Sequence, residues 1–174
     1  MAVIYGLRRS EICGLRWEDI DFENSAIHIR NTVTEFSGTV YEVNDTKTKT
    51  SRRDLYLVPD IADYLKELQQ TQKQSGIYSG KVCVHLDGRM VKPEYCTRVT
   101  MRFLRSCGYD GVRLHDLRAT AATILASKGV PIKNVQAYLG HKDVQTTLSC
   151  YVHVLDADKI ATATVMGNVF SGSG

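Results

Sequence analysis

The chain has 174 residues, of which 43% are hydrophobic and 24% are charged, a balance typical of a folded globular protein and not of a disordered one. No apolar run approaches the roughly 18 residues that span a bilayer, so the sequence does not predict an integral membrane protein. The net charge of +3 does not by itself indicate nucleic-acid binding, because such proteins concentrate their charge. The basic excess lies between Lys81 and Arg118, where eight basic residues stand against four acidic ones.

The five cysteines and five histidines lack the close, repeated spacings of disulfide scaffolds and zinc sites. The cysteines are odd in number and form no CxxC pair, and the histidines form neither HxxxH nor HExxH. We therefore predict no metal site, and we interpret the cysteines as reduced core residues of a cytosolic protein.

The first half of the chain is predicted to contain a short helix followed by a small antiparallel sheet. Apolar spacing predicts the helix over residues 7–16, and Trp17–Asp21 is typical of a short helical turn leaving it. Alternation of apolar and polar residues then predicts three strands, at 26–30, 39–43 and 54–58. Ser37-Gly38 supplies a turn between the first two strands, and the basic segment 47–53 is expected to form an exposed hairpin loop.

The second half is predicted to be helical, with proline and glycine marking most of the helix ends. The predicted helices are Pro59 to about Gln72, Pro93–Ser106, Asp116–Lys128 followed by Gly129, Pro131 to Gly140, and one capped by Asp143 whose apolar stripe is Val144, Leu148, Tyr151 and Leu155. In the second of these, one face carries Arg98, Arg102 and Arg105 and the other carries Cys96, Val99 and Phe103. The basic face is either a DNA contact or an ordinary solvated surface.

Common catalytic motifs are missing from the sequence. A Gly-rich phosphate loop, a Walker lysine, HExxH and GxSxG do not occur, which argues against the usual nucleotide- and metal-dependent chemistries. Six other strings occur in order: GLRRSE (6–11), LRWEDID (15–21), TKTKTSRR (46–53), HDLRATAAT (115–123), LGHKDVQTT (139–147) and YVHV (151–154). Together they resemble the tyrosine recombinases, or phage-type integrases, over roughly residues 2 to 155. The resemblance is strongest to integrases of bacteriophages and conjugative transposons.

The resemblance implies an α+β, mainly helical catalytic domain with a small antiparallel three-stranded sheet. It also implies breaking and rejoining of DNA through a 3′-phosphotyrosine, in which Tyr151 matches the nucleophile. Because the covalent link conserves the phosphoester energy, the reaction implies no ATP and no other cofactor. Arg8 and Arg118 match the two arginines that stabilise charge on the non-bridging phosphate oxygens.

The other matched positions concern proton transfer and support. Lys47 matches the hairpin lysine that protonates the 5′ oxygen, with Lys49 as the second choice. His115 and His141 match positions that hydrogen-bond the phosphate or assist proton transfer, and Glu11 matches an acidic residue near the first arginine. Ala119 stands where the family often has a further histidine. The candidates for DNA binding outside the catalytic set are Arg98, Arg102, Arg105, Lys49 and Arg52.

Taken singly, these residues also fit simpler interpretations. Arg8 and Glu11 are spaced as an i, i+3 surface pair, and Arg118 is placed to pair with Asp116 or Asp110. The hairpin lysines are typical solubilising residues, and the matched tyrosine lies on an apolar stripe as a core tyrosine would. The joint pattern favours the recombinase interpretation.

Two other classes of protein remain as alternatives. A non-catalytic helix-turn-helix DNA-binding module is suggested by Ile132–Leu139, the turn at Gly140 and Val144–Tyr151. Such a module would read DNA without needing the matched cations to converge. A type IB topoisomerase uses a similar set of residues, but the spacing from LGH to the tyrosine favours a recombinase.

We expect residues 1–170 to form the catalytic domain, with its first helix truncated, and residues 171–174 to form a flexible tail. The family's N-terminal core-binding domain is expected to be absent. The implied partner is double-stranded DNA, with self-association on DNA as a tetrameric synapse in the full-length protein. We expect no membrane contact and a cytoplasmic, DNA-associated location in a bacterium.

Overall fold

The computed structural model describes residues 1–43, 52–77 and 79–148. Its elements are α1 (Arg9–Gly14), a 3-10 turn (Trp17–Asp19), β1 (Ile20–Asp21), β2 (Ala26–Ile29), β3 (Thr32–Phe36), β4 (Thr39–Val43), β5 (Arg53–Tyr56), α2 (Pro59–Gln74), α3 (Pro93–Ser106), α4 (Leu114–Ser127) and α5 (Ile132–Leu139). Residues 144–148 are also helical. The mainly helical α+β fold predicted from the sequence is confirmed.

The helix ends follow local rules of backbone conformation. Proline occupies the first turn of α2 and of α3, where its fixed φ and missing N–H are tolerated. Gly140 ends α5 in the left-handed conformation, with φ of 69°, which glycine adopts without steric cost. Asp143 accepts a hydrogen bond from the backbone N–H of Gln145 at 2.9 Å, as expected of the residue that precedes the next helix. The predicted ends of these helices are confirmed to within about two residues.

The strands form two small antiparallel sheets, and here one prediction is wrong. The three-stranded sheet has the order β1-β2-β5, and β3 pairs only with β4. The three predicted strands were expected to form a single sheet, but strand 39–43 lies in the second one, paired with β3, where Phe36 lies opposite Thr39. The physical reason is the length of the turn. Ser37 and Gly38 both have positive φ, and a two-residue turn of this kind joins strands that directly flank it.

The main core lies between the three-stranded sheet, α2 and the chain on either side of α1. Its buried polar groups are paired: the indole N–H of Trp17 donates to Gln72 at 2.9 Å, and the amide of Gln72 donates to the Val82 carbonyl at 3.0 Å. A second cluster joins α4 to α5 through Ala121, Ala122, Val135 and Leu139. These two clusters bring α1, β5, α4 and the end of α5 together.

Helix α3 lies on the surface. Pro93 is its only buried residue, and on the face that carries Cys96, Val99 and Phe103, Cys96 is half-buried against the core while Val99 is 42% and Phe103 64% exposed. The cysteine prediction is wrong at Cys107, which follows α3 and is exposed, while Cys13, Cys83 and Cys96 are buried or half-buried and all four are free thiols. The fifth cysteine, Cys150, and the predicted tail 171–174 lie outside the described residues.

Candidate active site

Three arginines meet at the C-terminal end of α5, where the last carbonyl groups of a helix lack intrahelical partners. Arg53 Nε donates to the Tyr138 carbonyl at 2.8 Å, and Arg118 Nη2 donates to the Leu139 carbonyl at 2.6 Å. Arg8 Nη2 donates to the Gly140 carbonyl at 2.5 Å. Three consecutive carbonyls therefore each accept from one guanidinium, and the negative end of the helix dipole faces all three cations.

Glu11 links two of these arginines. Its Oε1 accepts from Nη1 of Arg8 at 2.7 Å and Nη1 of Arg53 at 3.0 Å. Its Oε2 accepts from the backbone N–H of Arg8 at 2.8 Å and Nη2 of Arg53 at 3.0 Å. Burial alone would raise the pKa of Glu11, but the hydrogen bonds and charges of Arg53 and Arg8 lower it below its ordinary value. The pair of Arg8 and Glu11 exists as its spacing suggested, but it is no surface pair, because the Glu11 side chain is only 2% exposed.

Arg118 is the most enclosed of the three arginines, at 2% exposure. Besides the Leu139 carbonyl, its guanidinium donates to the Gly6 carbonyl and to Nε2 of His141. Burial, followed by the charges of Arg8 and Arg53 against the opposing charge of Glu11, lowers the pKa of Arg118 to about 9, so it remains a cation at neutral pH. The alternative pairing with an aspartate is wrong.

Both aspartates that were considered for that pairing have other partners. Asp116 pairs with Arg113 at 3.2 Å, and Asp110 pairs with Arg105 at 2.9 Å. Arg118 therefore has no carboxylate partner among these two, and its contacts are backbone carbonyls and a neutral ring.

His141 follows Gly140 and is held from both ring nitrogens. Its Nε2 accepts from Arg118 Nε at 3.2 Å, and its Nδ1 lies 2.8 Å from Oγ1 of Thr147, a fully buried residue. Burial, then the charges of Arg118, Arg8 and Arg53, lower the pKa of His141 to about 4, so the ring is neutral at physiological pH. Because Nε2 accepts, the ring proton sits on Nδ1 and is donated to Thr147.

A cleft of about 520 Å³ opens beside these contacts. Its basic lining residues are Arg8, Arg9, Arg113, His115 and Arg118. His115 is exposed in the first turn of α4, and the Arg8 side chain is 35% exposed, against 7% for Arg53. The cleft thus presents cations to solvent at the mouth and buried cations behind them, an arrangement suited to an anionic group.

The basic face of α3 continues this surface. Arg98, Arg102 and Arg105 line a shallower depression of about 420 Å³, which shares Thr97 and Met101 with the cleft. All three arginines are exposed, and Arg98 lies 5.4 Å from the centre of the Tyr95 ring. Since Arg105 is paired with Asp110, the charge offered to a ligand here is less than three arginines alone would give.

Several predicted site residues lie outside the described part of the chain, namely Lys47, Lys49 and Tyr151. The structure brings Arg8 into contact with Glu11 and Arg118 into contact with His141, and the two arginines donate to the adjacent carbonyls of Gly140 and Leu139. It places His115 at the cleft and leaves Arg52 exposed. Arg53 and Thr147 were not predicted as site residues, although both lie within the strings TKTKTSRR and LGHKDVQTT. Nothing in the spacing of either string marks these two residues as buried partners of the site.

Within residues 1–43, 52–77 and 79–148, no group of three or more His, Cys, Asp or Glu side chains could hold a metal ion. In the same part of the chain, no helix has the length and apolar character needed to cross a membrane.

Comparison with known proteins identifies the family. Residues 1–158 match the family model described as the phage integrase family. The chain belongs to this family. The resemblance inferred from the sequence strings to tyrosine recombinases and integrases is confirmed.

Curated relatives match over most of this chain. A tyrosine recombinase XerC-like protein of Caldanaerobacter subterraneus is 26% identical over 95% of this chain and 47% of its own length. Transposase A from transposon Tn554 of Staphylococcus aureus is 30% identical over 88% of this chain and 42% of its own length. The putative prophage phiRv2 integrase of Mycobacterium tuberculosis is 26% identical over 85% and 40%, respectively. The chain therefore spans about half the length of the relatives it matches.

Solved structures confirm the fold. The Tn1549 transposon integrase in complex with transposon right end DNA superposes with a TM-score of 0.76 and 23% identity, over 86% of this chain and 51% of that one. XerH recombinase bound to palindromic difH substrate gives a TM-score of 0.65 at 22% identity, over 92% of this chain and 43% of that one. At these identities the likeness establishes the architecture alone.

Proposed function

We propose that this chain is the catalytic domain of a site-specific DNA recombinase that integrates or excises a mobile element. The observation that carries the proposal is the convergence of Arg8, Arg118 and His141 beside an open basic cleft. Arg8 and Gly140 lie 132 positions apart, so tertiary packing, and not local spacing, brings this set together. Membership of the phage integrase family supports the same chemistry.

Arg8 and Arg118, called the cleft arginines below, are suited to a phosphodiester. A guanidinium has five N–H donors; the contacts described use three of those on Arg118 and two of those on Arg8. Donors therefore remain on both groups for the two non-bridging oxygens. Because Arg118 is held by neutral acceptors and is shielded from water, its charge is preorganised for the negative charge that develops as phosphorus becomes five-coordinate.

The proposed reaction is a transfer of the phosphoryl group from a DNA oxygen to a tyrosine oxygen. Oη of Tyr151 attacks phosphorus, the P–O5′ bond breaks, and a 3′-phosphotyrosine and a free 5′-hydroxyl result. Lys47 supplies the proton to the departing 5′ oxygen. His115, exposed at the cleft, is proposed to assist transfer of the tyrosine proton, and His141 is proposed to orient Arg118, because its Nε2 accepts from that guanidinium.

The helix-turn-helix alternative is less well supported. Such a module reads DNA with its second helix and does not need the carbonyls of Leu139 and Gly140 to hold Arg118 and Arg8, as they do here. The relatives named above are recombinases, integrases and a transposase, which favours a recombinase over a type IB topoisomerase. Double-stranded DNA as substrate and self-association on it are part of this proposal.

The test is covalent capture on DNA. The substrate is a nicked half-site duplex, so that the strand released by cleavage diffuses away. It is incubated with the chain at low ionic strength, and adducts are resolved by denaturing electrophoresis. Tyr151→Phe should abolish the adduct while duplex affinity is retained, and Arg118→Ala should abolish it by removing charge stabilisation. Tyr109→Phe is the matched control and should form adduct normally.

Mass spectrometry of the trapped adduct locates the modified residue. Phosphotyrosine at Tyr151 supports the proposal. Modification of Tyr109 or Tyr138, or duplex binding without any adduct at any salt concentration tested, would contradict it, and the second of these results would favour the non-catalytic module.

A further inference from the structure

Arg53 is a buried cation with an unusually complete set of partners. It is the first residue of β5 and follows the segment that contains Lys47. Its three nitrogens all donate: Nε to the Tyr138 carbonyl at 2.8 Å, and Nη1 and Nη2 to the two oxygens of Glu11 at 3.0 Å each. The forked arrangement on a carboxylate is the strongest geometry available to an arginine.

These contacts connect Arg53 indirectly to both cleft arginines, through Glu11 and through the end of α5. Glu11 also accepts from the side chain and the backbone of Arg8, so one carboxylate holds two guanidiniums. Tyr138 directly precedes the two residues whose carbonyls hold Arg118 and Arg8. Arg53 therefore restrains both Glu11 and the carbonyl groups at the C-terminal end of α5.

Arg53 is not placed to contact DNA itself. Its side chain is 7% exposed, and every nitrogen already has an acceptor within the protein. Its neighbour Arg52 is exposed. Two adjacent arginines thus have different environments, and the inward one has a role within the site.

We propose that Arg53 is a positioning residue that holds Glu11 and the C-terminal carbonyls of α5 in place and thereby fixes Arg8 and Arg118 toward the scissile phosphate. This inference rests on the proposed recombinase function for its catalytic consequence, but its structural part stands separately. If Arg53 is removed, Glu11 retains Arg8 but loses half of its donors, and the Tyr138 carbonyl loses its partner. Arg8, the more exposed of the two cleft arginines, should then lose its fixed orientation.

The structural part is tested without any activity. In the unsubstituted chain, Nε–H signals of Arg8 and Arg118 in ¹⁵N NMR should show slow rotation about the Nε–Cζ bond, as held guanidiniums do. Arg53→Gln should speed rotation and solvent exchange at Arg8, Arg53→Lys should do so less because a cation still faces Glu11, and Arg52→Gln should change neither. Unchanged Arg8 signals in folded Arg53→Gln would overturn the inference; if the Gln variant does not fold, the same comparison is made with Arg53→Lys.

The catalytic part uses two substrates. On a phosphodiester half-site, Arg53→Gln should slow adduct formation by about 10- to 100-fold, the scale of a misplaced catalytic group, while duplex affinity stays close to that of the parent. On a methylphosphonate half-site, which lacks the negative charge that the arginines stabilise, the difference between variant and parent should shrink several-fold. An equal slowing on both substrates, or no slowing by Arg53→Gln relative to the parent, would overturn this part.

The two proposals fail in distinguishable ways. If the parent chain forms no adduct on either substrate, the recombinase proposal fails, and the NMR comparison alone decides whether Arg53 positions Arg8. If the parent is active and the Arg53 variants match it in both rate and Arg8 mobility, the recombinase proposal survives and the positioning role is wrong.

Discussion

Gly6 is the residue whose replacement tests the packing behind the site most directly. It has φ of +56°, and a Cβ added there would overlap Cδ2 of Leu139 and lie 3.7 Å from both Ala121 Cβ and Arg118 Cγ. Leu139 is fully buried, so its side chain cannot swing into solvent to relieve the overlap. Gly6→Ala should therefore strain both the backbone and the contact between α5 and the start of the chain.

The expected destabilisation can be worked out from three terms. A left-handed conformation costs an alanine roughly 1–2 kcal/mol, and one extra methyl in a packed core costs roughly 1–3 kcal/mol. The lower chain entropy of alanine in the unfolded state returns about 0.4–1 kcal/mol. Gly6→Ala should thus lower the free energy of unfolding by about 1–5 kcal/mol, a large share of the roughly 5–15 kcal/mol typical of a domain.

The chain offers a matched control. Gly76, just after α2, has φ of +67°, and an added Cβ there would meet nothing within 4 Å. Gly76→Ala therefore carries the backbone cost alone and should lower the free energy of unfolding by about 0–1.6 kcal/mol. The difference between the two variants isolates the overlap with Leu139.

Urea denaturation measures both variants, with the fluorescence of the single tryptophan as the probe. Trp17 is 4% exposed in the folded chain, so its emission should shift to longer wavelength on unfolding. If Gly6→Ala is no more destabilising than Gly76→Ala, Leu139 is not packed against Gly6 as described, and the carbonyl positions assigned to Arg118 would have to be reconsidered.

Further outcomes concern the histidine, the basic helix face and metal dependence. Because the pKa of His141 is about 4 in the folded chain and about 6.5 in an unfolded one, stability should fall as pH drops from about 6.5 towards 4; His141→Gln should flatten this slope in urea titrations, and an unaltered slope would count against the assignment. Thr147→Val leaves the Nδ1–H of His141 unpaired and should lower the free energy of unfolding by about 1–3 kcal/mol, whereas the same change at exposed Thr71, in α2, should cost less than about 0.5 kcal/mol. Replacing Arg98, Arg102 and Arg105 together with alanine should weaken the salt dependence of duplex binding, measured by fluorescence anisotropy. The slope of log affinity against log salt concentration should fall by up to about one for each phosphate that is no longer neutralised. Equal affinity and an equal slope would show that this face of α3 lies away from DNA. Adduct formation should be insensitive to EDTA, and restoration of an EDTA-sensitive activity by magnesium would refute that expectation.

The sequence by itself determined the helix ends and the family. Proline at the start of α2 and α3 and glycine at the end of α5 act through the backbone of one or two residues, so no knowledge of the fold was needed to place them. Six strings in order identified the integrase family for a related reason, since residue types within a motif are local information. The Ser37-Gly38 turn marks the limit of such reasoning: its residues predicted a turn, while its two-residue length decided which strands pair, and β3 (Thr32–Phe36) was overlooked.

The partners of the buried charges were decided by tertiary structure alone. In the sequence Glu11 fits a surface pair with Arg8, since a spacing of three residues is the same whether a helix is buried or exposed. In the folded chain Glu11 also accepts from Arg53, 42 positions away, and Arg118 donates to Gly6 across 112 positions. A carboxylate shielded from water stays ionised only if donors replace its hydration, and those donors come from elements that no local spacing connects. The sequence therefore indicated which residues belong to the site, while packing of α1, β5, α4 and α5 decided what each of them holds.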